Sequence, residues 1–287
     1  MNYRHQFHAG NYADVFKHVL LLLLLRAMQR KEKGFLYLDT HAGRGSYDLG
    51  EALLLPGGRS REPEWPEGVG RVWDRKSGPL ADYAVLVRAH DGERGGTGGQ
   101  PQYLPGSPWV AARVMRPQDR LALCELRPDD AEALELSFAR DKRVKVHAMD
   151  GYTALKAFLP PAEKRALVLI DPPFEDQGEF DAIGRGLAGA LRRFPSGVYA
   201  VWYPLTERAG SEGFLQTVAG MGIPSLAAEL RVAGDGSSAR MKGCGLVVLN
   251  PPWKIEEEIA AALPALRDAL AAGPGAAARS WWVVPER

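Results

Sequence analysis

The chain has 287 residues, of which 46% are hydrophobic and 25% charged, and its formal net charge is +1. That balance excludes a disordered or fibrous protein, and the length suits one large domain or a core carrying an insertion. A near-neutral total means that a nucleic-acid partner has to be held by a local patch and not by a generally basic surface.

The N-terminus, Met1-Asn2-Tyr3-Arg4-His5, is polar from the first residue and lacks the layout of a secretory signal. The longest apolar run, Val19 to Leu25, is far short of the ~20 residues that span a bilayer, so it reads as a buried helix. Cys124 and Cys244 stand far apart with no metal-ligand spacing. A reduced, cytoplasmic protein without a membrane partner is expected.

The pattern predicts a helix over 11–31, starting near Asn11 or Asp14 and ending in a basic last turn that suits the helix dipole. The first 33 residues hold Arg4, Lys17, Arg26, Arg30, Lys31 and Lys33 against only Asp14 and Glu32. This end either faces a polyanion or is a solvated helix face. Phe35 to Leu38 is a short β-type run stopping at Asp39, and Thr40-His41-Ala42-Gly43-Arg44-Gly45 follows as a glycine turn. From about Asp48 the composition shifts to Gly, Pro and Arg, with one helical stretch near Leu80 to His90. Residues 48–104 are therefore expected to be an inserted helical subdomain, with 1–47 and 105–287 forming the core.

After Pro105-Gly106-Ser107-Pro108, strands are predicted at 121–125, 144–147, 166–170 and 198–203, alternating with helices at 109–116, from Pro128, at 152–159, 180–194 and 211–221. Segments 226–232 and 245–249 read as a closing hairpin. Alternating strands and helices imply an α/β, doubly wound, mostly parallel sheet. Ligands in such sheets lie beyond the carboxyl ends of the strands, so the residues there carry the chemistry.

Those residues are Asp39 to Gly45, Glu125, Asp150 and Asp171 to Phe174. A glycine loop at Gly43 lets backbone N–H groups approach a ligand, an acid closing the second strand can take ribose hydroxyls, and a further Asp can accept from an adenine amino group. The loop lacks the third glycine of the dinucleotide fingerprint, and Glu125 lies much further on than the ~20 residues it expects, which weakens a dehydrogenase reading.

Asp171-Pro172-Pro173-Phe174 is the sharper signal. Two prolines after a buried strand stiffen the backbone and leave carbonyls without local donors. An exocyclic adenine amino group offers two N–H donors, one for the Asp171 carboxylate and one for the Pro172 carbonyl, while Phe174 stacks on the ring. Accepting both hydrogens frees the nitrogen lone pair for attack on a sulfonium methyl group, with placement and electrostatics carrying the catalysis. Asn250-Pro251-Pro252-Trp253 matches the same loose pattern. If Leu246 to Leu249 runs antiparallel, that second turn falls at the opposite rim and Asn250 is structural.

An Asp-Pro-Pro-aromatic turn after the fourth strand resembles class I adenine-N6 methyltransferases. Further motifs are Tyr3-Arg4-His5, Phe7 to Asn11, Asp14-Val15, Lys17-His18, Tyr37 to Gly43, Pro105 to Pro108, Glu125-Leu126, Asp150-Gly151, Trp202-Tyr203-Pro204 and Asn250 to Lys254. Over nearly the whole chain they are similar to the bacterial 23S ribosomal RNA adenine-N6 methyltransferase family (RlmJ). The resemblance implies a class I, Rossmann-like fold with a seven-stranded, mostly parallel sheet whose last strand is antiparallel. It implies S-adenosylmethionine as cofactor, held by His18, Asp39, His41, Gly43, Ser107, Glu125, Asp150, Gly151 and Asp171. Asp171 would be the catalytic acceptor with Pro172 and Phe174, and Tyr3, with Arg4 and Lys17, would meet the RNA. The implied substrate is an adenine of 23S ribosomal RNA (adenine 2030 in standard bacterial numbering), protein-free or in an early assembly intermediate, and the implied state is a monomer. Phe174 departs from the family's usual tyrosine, so a hydroxyl is lost while stacking survives.

His5 and His8 lack the carboxylate or cysteine that would complete a metal set, so no metal is expected. The alternatives are methylation of a DNA adenine or of guanine N2, and a non-catalytic nucleic-acid-binding module. Aspartate in the turn favours adenine, which presents an N–H donor where guanine presents a carbonyl oxygen. The target base has to be single-stranded or flipped out, because the pocket surrounds its amino group.

Overall fold

The computed structural model describes residues 5–52, 62–176, 178–206, 208–234 and 241–286. In chain order these form α1 (Tyr12–Gln29), β1 (Leu36–Asp39), β2 (Ser46–Asp48), α2 (Leu49–Ala52), α3 (Val69–Val72), α4 (Ala81–Glu93), β3 (Tyr103–Pro105), α5 (Ser107–Val114), β4 (Arg120–Glu125) and α6 (Pro128–Phe138). The second half gives β5 (Val144–Ala148), α7 (Gly151–Phe158), β6 (Ala166–Ile170), α8 (Glu179–Arg193), β7 (Val198–Pro204), α9 (Arg208–Gly220), β8 (Ser225–Arg231), β9 (Gly243–Leu249), α10 (Ile255–Leu270) and β10 (Ala277–Val284).

Helix α1 starts where Asn11 caps it, its side-chain oxygen accepting from the backbone N–H groups of Ala13 at 3.0 Å and Asp14 at 3.1 Å. Leu20, Leu21, Leu24 and Leu25 are fully buried. At about 1.5–3 kcal/mol per leucine side chain, they hold α1 against the sheet far more firmly than helix propensity does. Among the described residues, no helix is long and apolar enough to cross a membrane.

Eight strands form one sheet in the order β10-β8-β9-β7-β6-β1-β4-β5. Strands β5, β4, β1, β6 and β7 are parallel, β9 runs antiparallel to β7 and β8, and β10 runs antiparallel to β8. This is the expected mostly parallel sheet with an antiparallel closing element, enlarged from seven strands to eight by β10. Side chains alternate along the central strands: Tyr37, Leu167 and Leu169 enter the core under α1, α5 and α10, while Leu36, Leu38, Val168 and Ile170 enter the core under α7, α8 and α9.

Ser46–Asp48 pairs antiparallel with Tyr103–Pro105, so the two ends of the segment between them meet. Of the described residues in that segment, Val69, Val72, Trp73 and Tyr83 are buried in the same core as α1.

Candidate active site

Parallel strands stop together, so their first loop residues converge on one rim. Register places Asp39 beside Leu123 on one side and Leu169 on the other, and Ile170 beside Val201. The ladders continue a step past the strands, with the N–H of Thr40 donating to the Leu169 carbonyl, Ala42 to Cys124, and Met149 to Glu125. Asp39, Glu125, Asp150 and Asp171 are thereby brought to a single edge. Four carboxylates beside a glycine turn suit a ligand that carries positive charge.

Asp39 is fully buried and takes hydrogen bonds from the Tyr37 hydroxyl at 2.9 Å, the Ser107 hydroxyl at 2.7 Å and the His41 backbone N–H at 3.3 Å. Burial pushes its carboxyl up to about 6, against the lowering effect of the Ser107 and Tyr37 hydroxyls. Ser107 therefore reaches this rim from the start of α5. His41 is held by the Thr40 hydroxyl at 2.8 Å from Nδ1, and burial lowers its pKa to about 4, so the ring is neutral at physiological pH.

Glu125 fastens the glycine turn to the second strand. One of its oxygens accepts from the Gly43 N–H at 2.9 Å and the other from the Arg127 N–H at 2.8 Å. Between them the two oxygens keep lone-pair capacity for a hydroxyl. Burial raises its pKa. Gly43 has φ +61°, and a Cβ there would lie 2.4 Å from the Tyr47 hydroxyl. Asp150 caps α7 by accepting from the Thr153 N–H at 2.7 Å. At Gly151 a Cβ would fall 2.3 Å from the Thr40 carbonyl oxygen, so only glycine lets α7 begin this close to the end of β1.

Asp171 follows β6 with its side chain 17% exposed, and its Oδ2 lies 2.6 Å from the Lys17 ammonium. Lys17 also meets Asp14 Oδ1 at 2.9 Å, and its own side chain is 7% exposed. Burial alone would lower the lysine's pKa, but the charges and hydrogen bonds of Asp14 and Asp171 outweigh it and raise the pKa well above its ordinary value. The ammonium therefore stays charged, with Asp14 and Asp171 as its two carboxylate partners. The sequence places Lys17 on a basic face toward RNA; the structure turns it inward to the carboxyl end of β6. Tyr3 and Arg4 lie outside the described residues.

Phe174 has φ +49°, an uncommon left-handed conformation for an aromatic residue, imposed by the stiff turn. Its ring meets Phe180 at 5.1 Å and Trp202 at 5.7 Å, both edge-on. Pro172 is buried beside it. His18, buried on α1, turns to α4, where Nδ1 is 3.4 Å from the Tyr83 hydroxyl. Asp14, Tyr37, Thr40 and Tyr152 hold site residues by side-chain bonds or ring contact, roles that the sequence alone does not assign. The first three stand within three residues of the group they hold, a local signal, whereas Tyr152 meets His41 from more than 100 residues away.

A cavity of about 160 Å³ opens beside the glycine turn, lined by Gly43, Arg44, Tyr47 and Arg127 among others. A larger one, about 520 Å³, lies at the other rim around Asn250 and Pro251. Its lining offers one carboxylate, Glu286, and none of the strand-end acids, so its size does not make it the reacting centre. Among the described residues no group of three His, Cys, Asp or Glu side chains is placed to hold a metal ion.

The family model described as "Ribosomal RNA large subunit methyltransferase D, RlmJ" matches residues 32–283. The chain is 41% identical over 290 residues to ribosomal RNA large subunit methyltransferase J of Escherichia coli and 39% identical over 293 residues to the protein of the same name from Haemophilus influenzae, with 100% of both chains covered in each case. A crystal structure of a Legionella pneumophila protein, 34% identical, superposes with a TM-score of 0.84 over 98% of this chain and 99% of that one. Sequence likeness along the entire length and a shared architecture agree with the strand-end geometry, and the chain belongs to the RlmJ family of ribosomal RNA large subunit methyltransferases.

Proposed function

We propose that the protein methylates the N6 amino group of an adenine in 23S ribosomal RNA, using S-adenosylmethionine, with Asp171 as the acceptor of an amino hydrogen. The observation that carries this reading is the placement of the Asp171-Pro172-Pro173-Phe174 turn on the same rim as Asp39, Glu125 and Asp150, with Lys17 holding the carboxylate.

The donor supplies an electrophilic methyl carbon on a cationic sulfonium, and the chain's residues fit such a cation. Asp39, Asp150 and Asp171 give negative charge at the rim, Glu125 and the Gly43 turn suit the ribose, and His41 is neutral and adds no repulsion. His18, Ser107 and Gly151 complete the seat, with Ser107 acting on it through Asp39.

Asp171 and the Pro172 carbonyl accept the two amino hydrogens of the base, and Phe174 stacks on its ring. The pair of acceptors orients the nitrogen lone pair toward the methyl carbon, and most of the rate gain is positional and electrostatic. Lys17 acts through Asp171 by holding its oxygen and charge, and contact with RNA falls to Tyr3 and Arg4. Residues 48–104 form an inserted subdomain on a core of 1–47 and 105–287, the protein acts as a cytoplasmic monomer, and the substrate is free RNA or an early assembly intermediate. The target is adenine 2030 in standard bacterial numbering.

The test is transfer of labelled methyl from S-adenosylmethionine to protein-free 23S ribosomal RNA, to assembled large subunits and to DNA, followed by nucleoside analysis. N6-methyladenosine confined to the RNA is expected; N2-methylguanosine, or label in DNA alone, would overturn the reading.

A further inference from the structure

We propose that the hydrogen bond from Tyr152 to Glu179 couples occupancy of the cofactor seat to the posture of the catalytic turn, which makes Tyr152 a positioning residue. The inference rests on the reading of Asp171 to Phe174 as the base-binding turn and of the strand-end loops as the cofactor seat.

Tyr152 is the second residue of α7, next to Gly151. Its ring lies 5.5 Å from that of His41, edge to face at 69°. Its hydroxyl donates to Glu179 Oε1 at 2.5 Å. Glu179 is the first residue of α8, the helix that follows the catalytic turn. The next residue, Phe180, packs on Phe174 at 5.1 Å. A contiguous path therefore runs from His41 through the Tyr152 ring and hydroxyl to Glu179, and through Phe180 to Phe174.

Two features separate this bond from ordinary helix packing. Helices α7 and α8 already share an apolar contact through Ala154, Leu155, Ile183 and Leu187, all buried in one core, so the bond is not needed to dock them. The Tyr152 ring also has a built seat: a Cβ at Gly186 of α8 would lie 3.1 Å from Tyr152 Cδ1, and glycine there admits the ring. Burial, and then Glu179, raise the pKa of the hydroxyl, which remains a donor at every physiological pH. A ligand that fixes His41 thus fixes the Tyr152 ring, and through Glu179 the start of α8 on which Phe174 leans. Coupling of this kind requires an element that both sites bias, and here that element is the first turn of α8.

Tyr152→Phe keeps the ring and removes the hydroxyl, Glu179→Gln keeps an acceptor, and Glu179→Ala removes it. Hydrogen–deuterium exchange of the segment carrying Asp171 to Phe174 is measured with and without S-adenosylmethionine, alongside cofactor affinity and the KM for RNA. In the wild type the cofactor is expected to slow exchange there about 10-fold. In Tyr152→Phe the cofactor affinity stays within about twofold while this protection falls at least about fivefold, and KM for RNA rises more than kcat falls. Glu179→Gln behaves as wild type, Glu179→Ala reproduces Tyr152→Phe, and the double variant is no worse than either single one. Wild-type protection and KM in Tyr152→Phe, or additive losses in the double variant, overturn the coupling. Should the wild type bind cofactor, show the protection and transfer no methyl to any RNA, the proposed function falls and the coupling is supported.

Discussion

Two turns of this chain share a sequence pattern and differ in what surrounds them. Asp171-Pro172-Pro173-Phe174 follows a parallel strand, and Asn250-Pro251-Pro252-Trp253 follows β9, which is antiparallel to its neighbours. Leu249 pairs with Tyr199 at the start of β7, so the second turn lies at the rim opposite the strand-end acids. There the Asn250 amide donates to the carbonyls of Pro195 at 2.7 Å and Gly197 at 2.8 Å, and the backbone takes φ +51°. Trp253 is 72% exposed, with the Lys254 ammonium 4.8 Å from its ring centre. In the first turn the acid meets a buried lysine and the aromatic ring faces inward to Phe180 and Trp202. Strand direction, which no tetrapeptide encodes, decides which turn joins the strand-end acids.

The contrast can be broken in stages. Asp171→Asn gives the first turn the amide of the second; an amide cannot pair with Lys17 as an anion, and kcat should fall by about 10²–10³ in single-turnover methyl transfer. Lys17→Met leaves Asp14 and Asp171 facing each other without their shared cation. A loss of about 3–5 kcal/mol is expected in denaturant unfolding, with an accompanying drop in kcat. Asp39 gives a pH signature. Its carboxyl moves from 3.8 to about 6 on folding, so the folded protein holds the extra proton between those values and stability declines as pH rises through that window. The loss, roughly 3 kcal/mol, is complete by about pH 7. Asp39→Asn does not titrate, so its melting temperature should gain on that of the wild type between pH 4.5 and 7.5; a constant difference would contradict the burial argument. Phe174→Tyr, which adds a hydroxyl to the ring, should change kcat by no more than about tenfold, as one added hydrogen bond would.

Much of the frame is readable from local pattern. The run Ala166 to Ile170 is a strand at the residues expected, and Asn11 caps α1. The acids at strand ends could be named because parallel strands stop at a common rim. The eighth strand is not legible: Ala277–Val284 begins within a stretch rich in Ala and Gly, and its partner β8 lies more than 40 residues earlier. Helix α10 also went unread, with Pro264 inside it masking its period. The excess of basic residues over the first 33 positions places Lys17 on a surface facing RNA or solvent. Its burial follows from Asp171, 154 residues away, and such contacts leave no local trace. Ser107 on Asp39, 68 residues apart, is a second case.

The most direct test compares Asp171→Ala with Asn250→Ala for methyl transfer to 23S ribosomal RNA and for thermal unfolding. The account predicts that Asp171→Ala remains folded, binds S-adenosylmethionine and loses at least about 10²-fold in kcat. Asn250→Ala should lose about 1–3 kcal/mol of stability while its folded fraction methylates at the wild-type rate. Full activity in Asp171→Ala, or a catalytic defect in folded Asn250→Ala, would contradict it.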